Sequence, residues 1–253
     1  MSGRAILRTG ARMDEVAAES CALVLTSPPY FPTDLEDLLK RAPHSRKQVD
    51  VLAERIIAFA YSLREVFEDC ARILIPGGAL ILQTRDVRIH DCLIPNAVAH
   101  RSILESCGLY LYTRYLWLPD KVEPDRLREV AAAVERGKPR PPDPEEFQVF
   151  LKFGETPGRV AASSDVDLSQ SPLLRSALGR LARPHRHRSP MMICDSFIRH
   201  WTKSGDLVVD PFVGNGTVLV AATSADRIAL GYDVDASCVE AANENLARSG
   251  SHG

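Results

Sequence analysis

Gly205-Asp206-Leu207-Val208-Val209-Asp210-Pro211-Phe212-Val213-Gly214-Asn215-Gly216-Thr217 reads as a short buried strand, a glycine-rich turn and a helix opening at Val218. Glycines at that place let the backbone approach a ligand closely, and the helix N-terminus behind them offers free amides. About eighteen residues after Gly214, the acid of Gly231-Tyr232-Asp233 closes the next strand, where nucleotide-binding βαβ units hold ribose hydroxyls. The spacing suits an adenosyl group. A tight strand-to-helix turn with no ligand would use the same glycines, so the downstream acid is what tips the reading. No Gly-Lys-Ser/Thr sequence is present, which argues against a P-loop triphosphatase.

Working outward, apolar runs of strand length recur at Ala5–Thr9, Ala22–Thr26, Ala79–Thr84, Leu109–Leu116, Phe147–Phe153, Leu207–Asp210 and Ile228–Tyr232. They alternate with helical patterns, the mark of a mainly parallel sheet covered by helices. One helix is predicted over Leu52–Leu74, with apolar positions Ile56, Ile57, Ala60, Leu63, Val66, Phe67 and Ala71, ending before Pro76-Gly77-Gly78. Another is predicted over Val234–Ala247. With 253 residues, 45% hydrophobic and 25% charged, the chain can bury a real core, which excludes a disordered tail or a miniprotein. The 31 Lys plus Arg against 33 Asp plus Glu leave a net charge of -2, so any basic surface must be local. The six cysteines (Cys21, Cys70, Cys92, Cys107, Cys194, Cys238) form no Cys-x-x-Cys pair, which argues against a zinc site and a disulfide framework. Met1–Arg8 lacks the apolar run of a signal peptide and no spanning stretch is present, so a soluble, cytoplasmic protein is expected.

The second informative stretch is Leu23-Val24-Leu25-Thr26-Ser27-Pro28-Pro29-Tyr30, a buried strand ending in a Ser, two prolines and an aromatic. Two prolines fix the backbone and remove two donors, so the turn presents acceptors and a ring. An exocyclic amine on a nucleobase is a poor nucleophile because its lone pair is delocalised. Acceptors such as the Ser27 hydroxyl and the Pro28 carbonyl can draw the nitrogen toward a pyramidal geometry and free that pair. Tyr30 would stack on the base, a contact worth about 1–3 kcal/mol. A rigid turn with a packing Tyr would explain the residues without chemistry.

Three segments stand outside the sheet pattern. Pro32–Val49 is polar and reads as a loop after the turn, and Pro124–Pro144 is charged and then proline-rich, like an exposed insertion. Gly154–Arg188 carries Arg175, Arg180, Arg183, Arg186 and Arg188 with no acid between Asp167 and Asp195, which makes it either a phosphate-contacting surface or a solvated charge run. His185 and His187 have no partner Cys or Glu at ligand spacing, so no metal is expected. Asp86 either faces a base pocket or caps a loop.

Taken together, Thr26-Ser27-Pro28-Pro29-Tyr30 and Asp210-Pro211-Phe212-Val213-Gly214-Asn215-Gly216-Thr217 resemble the catalytic and cofactor motifs of the DNA amino-methyltransferases, which methylate N4 of cytosine or N6 of adenine. The catalytic motif comes first, as in the permuted beta class of that family. The resemblance implies a Rossmann-like α/β fold with a seven-stranded sheet in circularly permuted order and a small inserted recognition region. It implies a catalytic half at residues 1–153, a target-recognition segment at 154–188 and a cofactor half at 189–253, with the strands Ala22–Thr26 and Leu207–Asp210 side by side. It implies S-adenosyl-L-methionine as cofactor, held by Asp210, Pro211, Phe212, Gly214, Asn215, Gly216, Thr217 and Asp233. Ser27, Pro28, Pro29 and Tyr30 would be catalytic, and Arg183, Arg186 and Arg188 would contact DNA. The segment from Arg186 through Ile198 resembles the one that encloses the methionine part. Double-stranded DNA is the implied partner, with a cognate restriction endonuclease as a family possibility.

Ser at the head of the tetrad, rather than Asp or Asn, resembles the N4-cytosine branch. The chain departs from the family at Thr9-Gly10-Ala11-Arg12, where an acidic residue commonly follows the Gly and contacts the adenine; Asp14 or a backbone group would have to serve instead. Asn215 stands where Ser is frequent. The alternatives are an N6-adenine enzyme, an RNA or protein-glutamine methyltransferase, and a DNA-binding module without catalysis.

Overall fold

The computed structural model describes residues 3–39, 45–89, 92–117, 145–154 and 191–250. Its centre is a seven-stranded sheet in the order β1 (Gly3–Leu7), β9 (Ile228–Asp233), β8 (Leu207–Asp210), β2 (Cys21–Thr26), β3 (Leu74–Thr84), β7 (Glu145–Lys152), β6 (Leu109–Trp117). The first five are mutually parallel, while β7 runs antiparallel to both β3 and β6. A hairpin of β4 (Val87–Ile89) and β5 (Cys92–Ile94) stands apart. The strand from the start of the chain closes the sheet beside β9, so the permuted order leaves no parallel position empty.

Alternation along the strands produces two cores, because successive side chains point to opposite faces. Leu23, Leu25, Ala79, Ile81 and Val208 face one layer, packed with Ile193, Phe197 and Ile198 of α5 (Met191–Trp201) and Leu219 and Ala222 of α6 (Thr217–Ser224). Val24, Leu80, Leu82, Val209 and Leu230 face the other, against Phe67 and Ile73 of α3 (Arg64–Ile73) and Ile103 and Leu104 of α4 (Asn96–Ser106). A sheet buried on both faces explains the continuous apolar runs. A third cluster gathers Tyr30, Leu35, Val49 and Ile56 with Val87, Ile89 and Ile94 of the hairpin.

Each strand read from the sequence is present, with shifted ends. β1 starts at Gly3 rather than Ala5, since Gly3 pairs with Ala229 and a Cβ there would lie 2.8 Å from Thr223 Cγ2. The expected helix over 52–74 is two helices, α2 (Arg46–Ser62) and α3, broken at Leu63. Leu63 remains buried, so the apolar stripe runs through the break and hides it. The helix stops before Pro76-Gly77-Gly78 as expected, but β3 begins at Leu74 and bulges through those residues, with its register on β2 jumping from Cys21↔Leu74 to Leu23↔Ala79. The loop read over 32–49 is in part helical: a single 3-10 turn at Thr33–Leu35, α1 (Glu36–Leu39) and the start of α2, capped by Ser45 accepting from the Gln48 amide. The last helix, α7 (Ala236–Gly250), matches the expected one within three residues at either end. All six cysteines are free thiols, and no described helix is long and apolar enough to cross a membrane.

Candidate active site

β2 and β8 are adjacent and parallel, so Ser27 and Pro211 begin their turns at the same carboxyl edge, where open α/β sheets bind ligands. The two strand ends are tied by side chains. Thr26 Oγ1 donates to Asp210 Oδ1 at 2.7 Å, and the Phe212 amide donates to the same oxygen at 3.1 Å. Both Thr26 and Asp210 are buried. Burial pushes the Asp210 carboxyl from 3.8 up to about 7, aided by the charge of Asp233 and opposed by the two hydrogen bonds. Asp210 therefore shapes the turn from beneath.

The glycine turn is built by neighbours that only glycine admits. Gly216 caps α6 at φ 77°, and a Cβ there would lie 2.9 Å from the Ala242 backbone of α7. Gly214, at φ 47°, has nothing within 4 Å of a would-be Cβ, so its open side forms a cradle. Its amide donates to Asp233 Oδ2 at 3.0 Å, while Oδ1 accepts from the Asp235 amide at 3.0 Å. Each oxygen keeps a lone pair, and Asp233 is half-buried. An open glycine cradle beside a partly exposed carboxylate at a strand end fits the hydroxyl-rich adenosyl part of S-adenosylmethionine. Gly10 packs on this turn, its would-be Cβ 2.6 Å from Pro211 Cβ, so the segment that departs from the family pattern does lie against the cofactor turn. Asp14 is exposed and lies 3.7 Å from Arg8.

Across the edge, Ser27 is half-buried, Pro29 exposed, and Pro28 and Tyr30 buried. The Tyr30 hydroxyl donates to Glu145 Oε2 at 3.2 Å and lies 3.5 Å from Ser27 Oγ. Gln83 Nε2 donates to the same Glu145 oxygen. The Arg85 guanidinium sits 5.0 Å from the centre of the Tyr30 ring, and Asn96 Nδ2 donates to the Tyr30 carbonyl at 3.3 Å. Burial raises the Tyr30 phenol above its usual range, with the Glu145 charge adding to it and Ser27 and Arg85 opposing. Behind this cluster, His100 is buried, takes Thr84 Oγ1 at 2.9 Å on Nδ1, and has its pKa lowered from 6.5 to about 4 by burial.

The expected residues of both motifs thus meet at one edge. Asp86 caps α4, accepting from the Ala97 amide at 3.0 Å, and Trp201 lies in the core against Tyr112. Arg183, Arg186 and Arg188, the whole segment 154–188 apart from Gly154, His185, His187 and the insertion Pro124–Pro144 lie outside the described residues. No group of metal-ligating side chains occurs among those described. Arg85, Gln83, Asn96 and Glu145 were missed by sequence reasoning. The available signal was the pair Gln83-Thr84, a polar end on an otherwise apolar strand, directly beside the Ser27 turn in the sheet.

Comparison with known proteins agrees with this arrangement. Residues 21–244 match the family described as DNA methylase. The type II methyltransferase M.MjaI of Methanocaldococcus jannaschii is 27% identical, over 89% of this chain and 85% of that protein. A DNA modification methylase of Thermus thermophilus, TTHA0409, solved in complex with S-adenosyl-L-methionine, superposes with a TM-score of 0.68 at 22% identity, covering 98% of this chain and 95% of that one. The cytosine-N4-specific PvuII DNA methyltransferase superposes with a TM-score of 0.64 at 16% identity, over 96% and 86% of the two chains. The two structural likenesses are likenesses of fold.

Proposed function

Since the chain belongs to the DNA methylase family, we propose that it transfers a methyl group from S-adenosylmethionine to the exocyclic N4 amine of a cytosine flipped out of double-stranded DNA. The observation that carries the reading is the Thr26–Asp210 hydrogen bond, which fixes the acceptor-presenting turn and the glycine turn at one sheet edge. A duplex hides the amine in the base stack, so the target nucleotide must be extruded to reach this edge.

Gly214, Asn215, Gly216 and Thr217 would hold the cofactor along the open backbone of the turn, with Phe212 beside it and Asp233 accepting from ribose hydroxyls. When bound, S-adenosylmethionine supplies a sulfonium-activated methyl carbon. Ser27 Oγ and the Pro28 carbonyl accept from the amine and localise its lone pair on nitrogen. Tyr30 stacks on the base once Arg85 swings off the ring. Alignment and preorganised acceptors supply the acceleration, and no covalent enzyme intermediate is required. Arg183, Arg186 and Arg188 contact phosphates. Ser27, in place of Asp or Asn, favours cytosine over adenine. A cognate restriction endonuclease is part of the same reading, since M.MjaI is described as a type II methyltransferase.

Incubation with labelled cofactor and separate DNA, RNA and protein substrates tests the substrate class, and digestion of the DNA to nucleosides with mass spectrometry tests the base. N4-methylcytosine is expected. N6-methyladenine would overturn the base assignment, and label entering only RNA or protein would overturn the DNA assignment.

A further inference from the structure

We propose that Glu145 is a positioning residue that sets the direction of a hydrogen-bond chain, Glu145 to Tyr30 to Ser27, and so holds the Ser27 oxygen as a pure acceptor toward an amine. The proposal rests on the amine-transfer reading above and names what makes that site select an amine.

The argument is a count of hydrogens. A phenol has one, and a carboxylate has none. Tyr30 gives its hydrogen to Glu145 Oε2. Its oxygen also lies 3.5 Å from Ser27 Oγ, and with no hydrogen left Tyr30 can only accept there. Ser27 must then give its own single hydrogen to Tyr30, which leaves lone pairs alone facing the edge. An amine brings hydrogens to those lone pairs. A base with a carbonyl at the same position, such as thymine, brings only lone pairs and is repelled. Reversal of the chain would turn Ser27 into a donor and invert that preference.

The surroundings hold Glu145 in this role. It begins β7 at the same sheet edge, and Gln83 of β3 donates to the very oxygen that takes the Tyr30 hydrogen, so that oxygen is kept in place from a second side. The raised phenol pKa is consistent with this, since the Glu145 contact disfavours a phenolate and the Ser27 contact favours one, as an accepting neighbour and a donating neighbour respectively should. Glu145 touches no part of the turn except through Tyr30 among the described hydrogen bonds.

The test uses the full chain, mixed-sequence DNA from a methylation-deficient bacterium and labelled S-adenosylmethionine. Single-turnover rates of the wild type, Glu145→Ala, Ser27→Ala and the double variant are compared, with DNA affinity and cofactor affinity measured alongside. Glu145→Ala is expected to slow transfer about tenfold or more, the effect of one hydrogen bond lost in the transition state, with both affinities within about twofold of wild type. Added to Ser27→Ala, it should change the rate less than about twofold, since the chain then has nothing to orient. Equal slowing in both backgrounds would overturn the proposal, as would an unchanged rate for Glu145→Ala alone. Tyr30→Phe, which deletes one oxygen, gives the same comparison if Glu145→Ala unfolds. A wild-type protein that labels no DNA overturns the amine-transfer reading and this proposal with it, whereas labelling with no coupling to Ser27 overturns this proposal alone.

Discussion

Thr26 Oγ1 and Asp210 Oδ1, 184 positions apart in the chain, meet at 2.7 Å where two neighbouring parallel strands end. The pair is buried on both sides. Thr26→Val keeps the shape and deletes the donor, leaving a buried acceptor short of one partner. That costs about 1–3 kcal/mol. Denaturant unfolding should show the loss, and Thr26→Ser, which restores the hydroxyl, should recover most of it. Methyl transfer should fall in Thr26→Val as well, because this bond holds the two turns in mutual register.

The same carboxyl makes stability depend on pH. Asp210 has a folded-state pKa raised to about 7 by burial, against 3.8 as its ordinary value. Between those values the folded state binds a proton that the unfolded chain has released, so stability falls as pH rises. The contribution is fully present below about pH 4 and is lost as pH passes through 7, on the order of a few kcal/mol. Asp210→Asn, which cannot ionise, should flatten this slope. Unfolding midpoints of both proteins at pH 5 and pH 8 check it: the wild type should lose more between them than the variant.

Both turns were legible in the sequence because each imposes a local backbone demand: consecutive prolines at 28 and 29, glycines at 214 and 216. The sheet was legible because two-sided burial writes apolar runs. The setting of Tyr30 was not, because it is a product of register. Arg85 and Gln83 come from the end of β3, Asn96 from α4 and Glu145 from the start of β7, and only the pairing of β3 with β7 brings Gln83 and Glu145 together. The break at Leu63 stayed hidden for the opposite reason, since a residue that remains in the core leaves the helical period intact.

Tyr30 and Asp233 should separate chemistry from cofactor binding. Tyr30→Ala removes the ring and the link to Glu145 while leaving the glycine turn untouched, so transfer should fall at least about 100-fold with cofactor affinity nearly unchanged. Asp233→Ala takes the acceptor from the Gly214 and Asp235 amides and from the proposed ribose contact. Cofactor affinity should weaken about 10- to 100-fold. Calorimetric titration with S-adenosylmethionine, set beside transfer rates, distinguishes the two, and the reverse pattern would undo the site assignment.

The two glycines of the cofactor turn should fail in different ways. Gly216→Ala places a methyl group 2.9 Å from the Ala242 backbone, at a φ of 77° that an L-residue resists. Strain in the left-handed region alone costs roughly 1–2 kcal/mol, and the contact with α7 adds to it because a backbone cannot yield as a side-chain tip can. Gly214→Ala meets nothing within 4 Å and carries only the conformational cost at φ 47°. Its methyl instead projects into the space where the ligand would approach. Gly216→Ala should therefore lose the larger share of stability in thermal unfolding. Gly214→Ala should stay folded and lose cofactor affinity by about tenfold or more in titration. A Gly214→Ala protein that binds S-adenosylmethionine as tightly as the wild type would show that the open side of this turn is not where the cofactor lies.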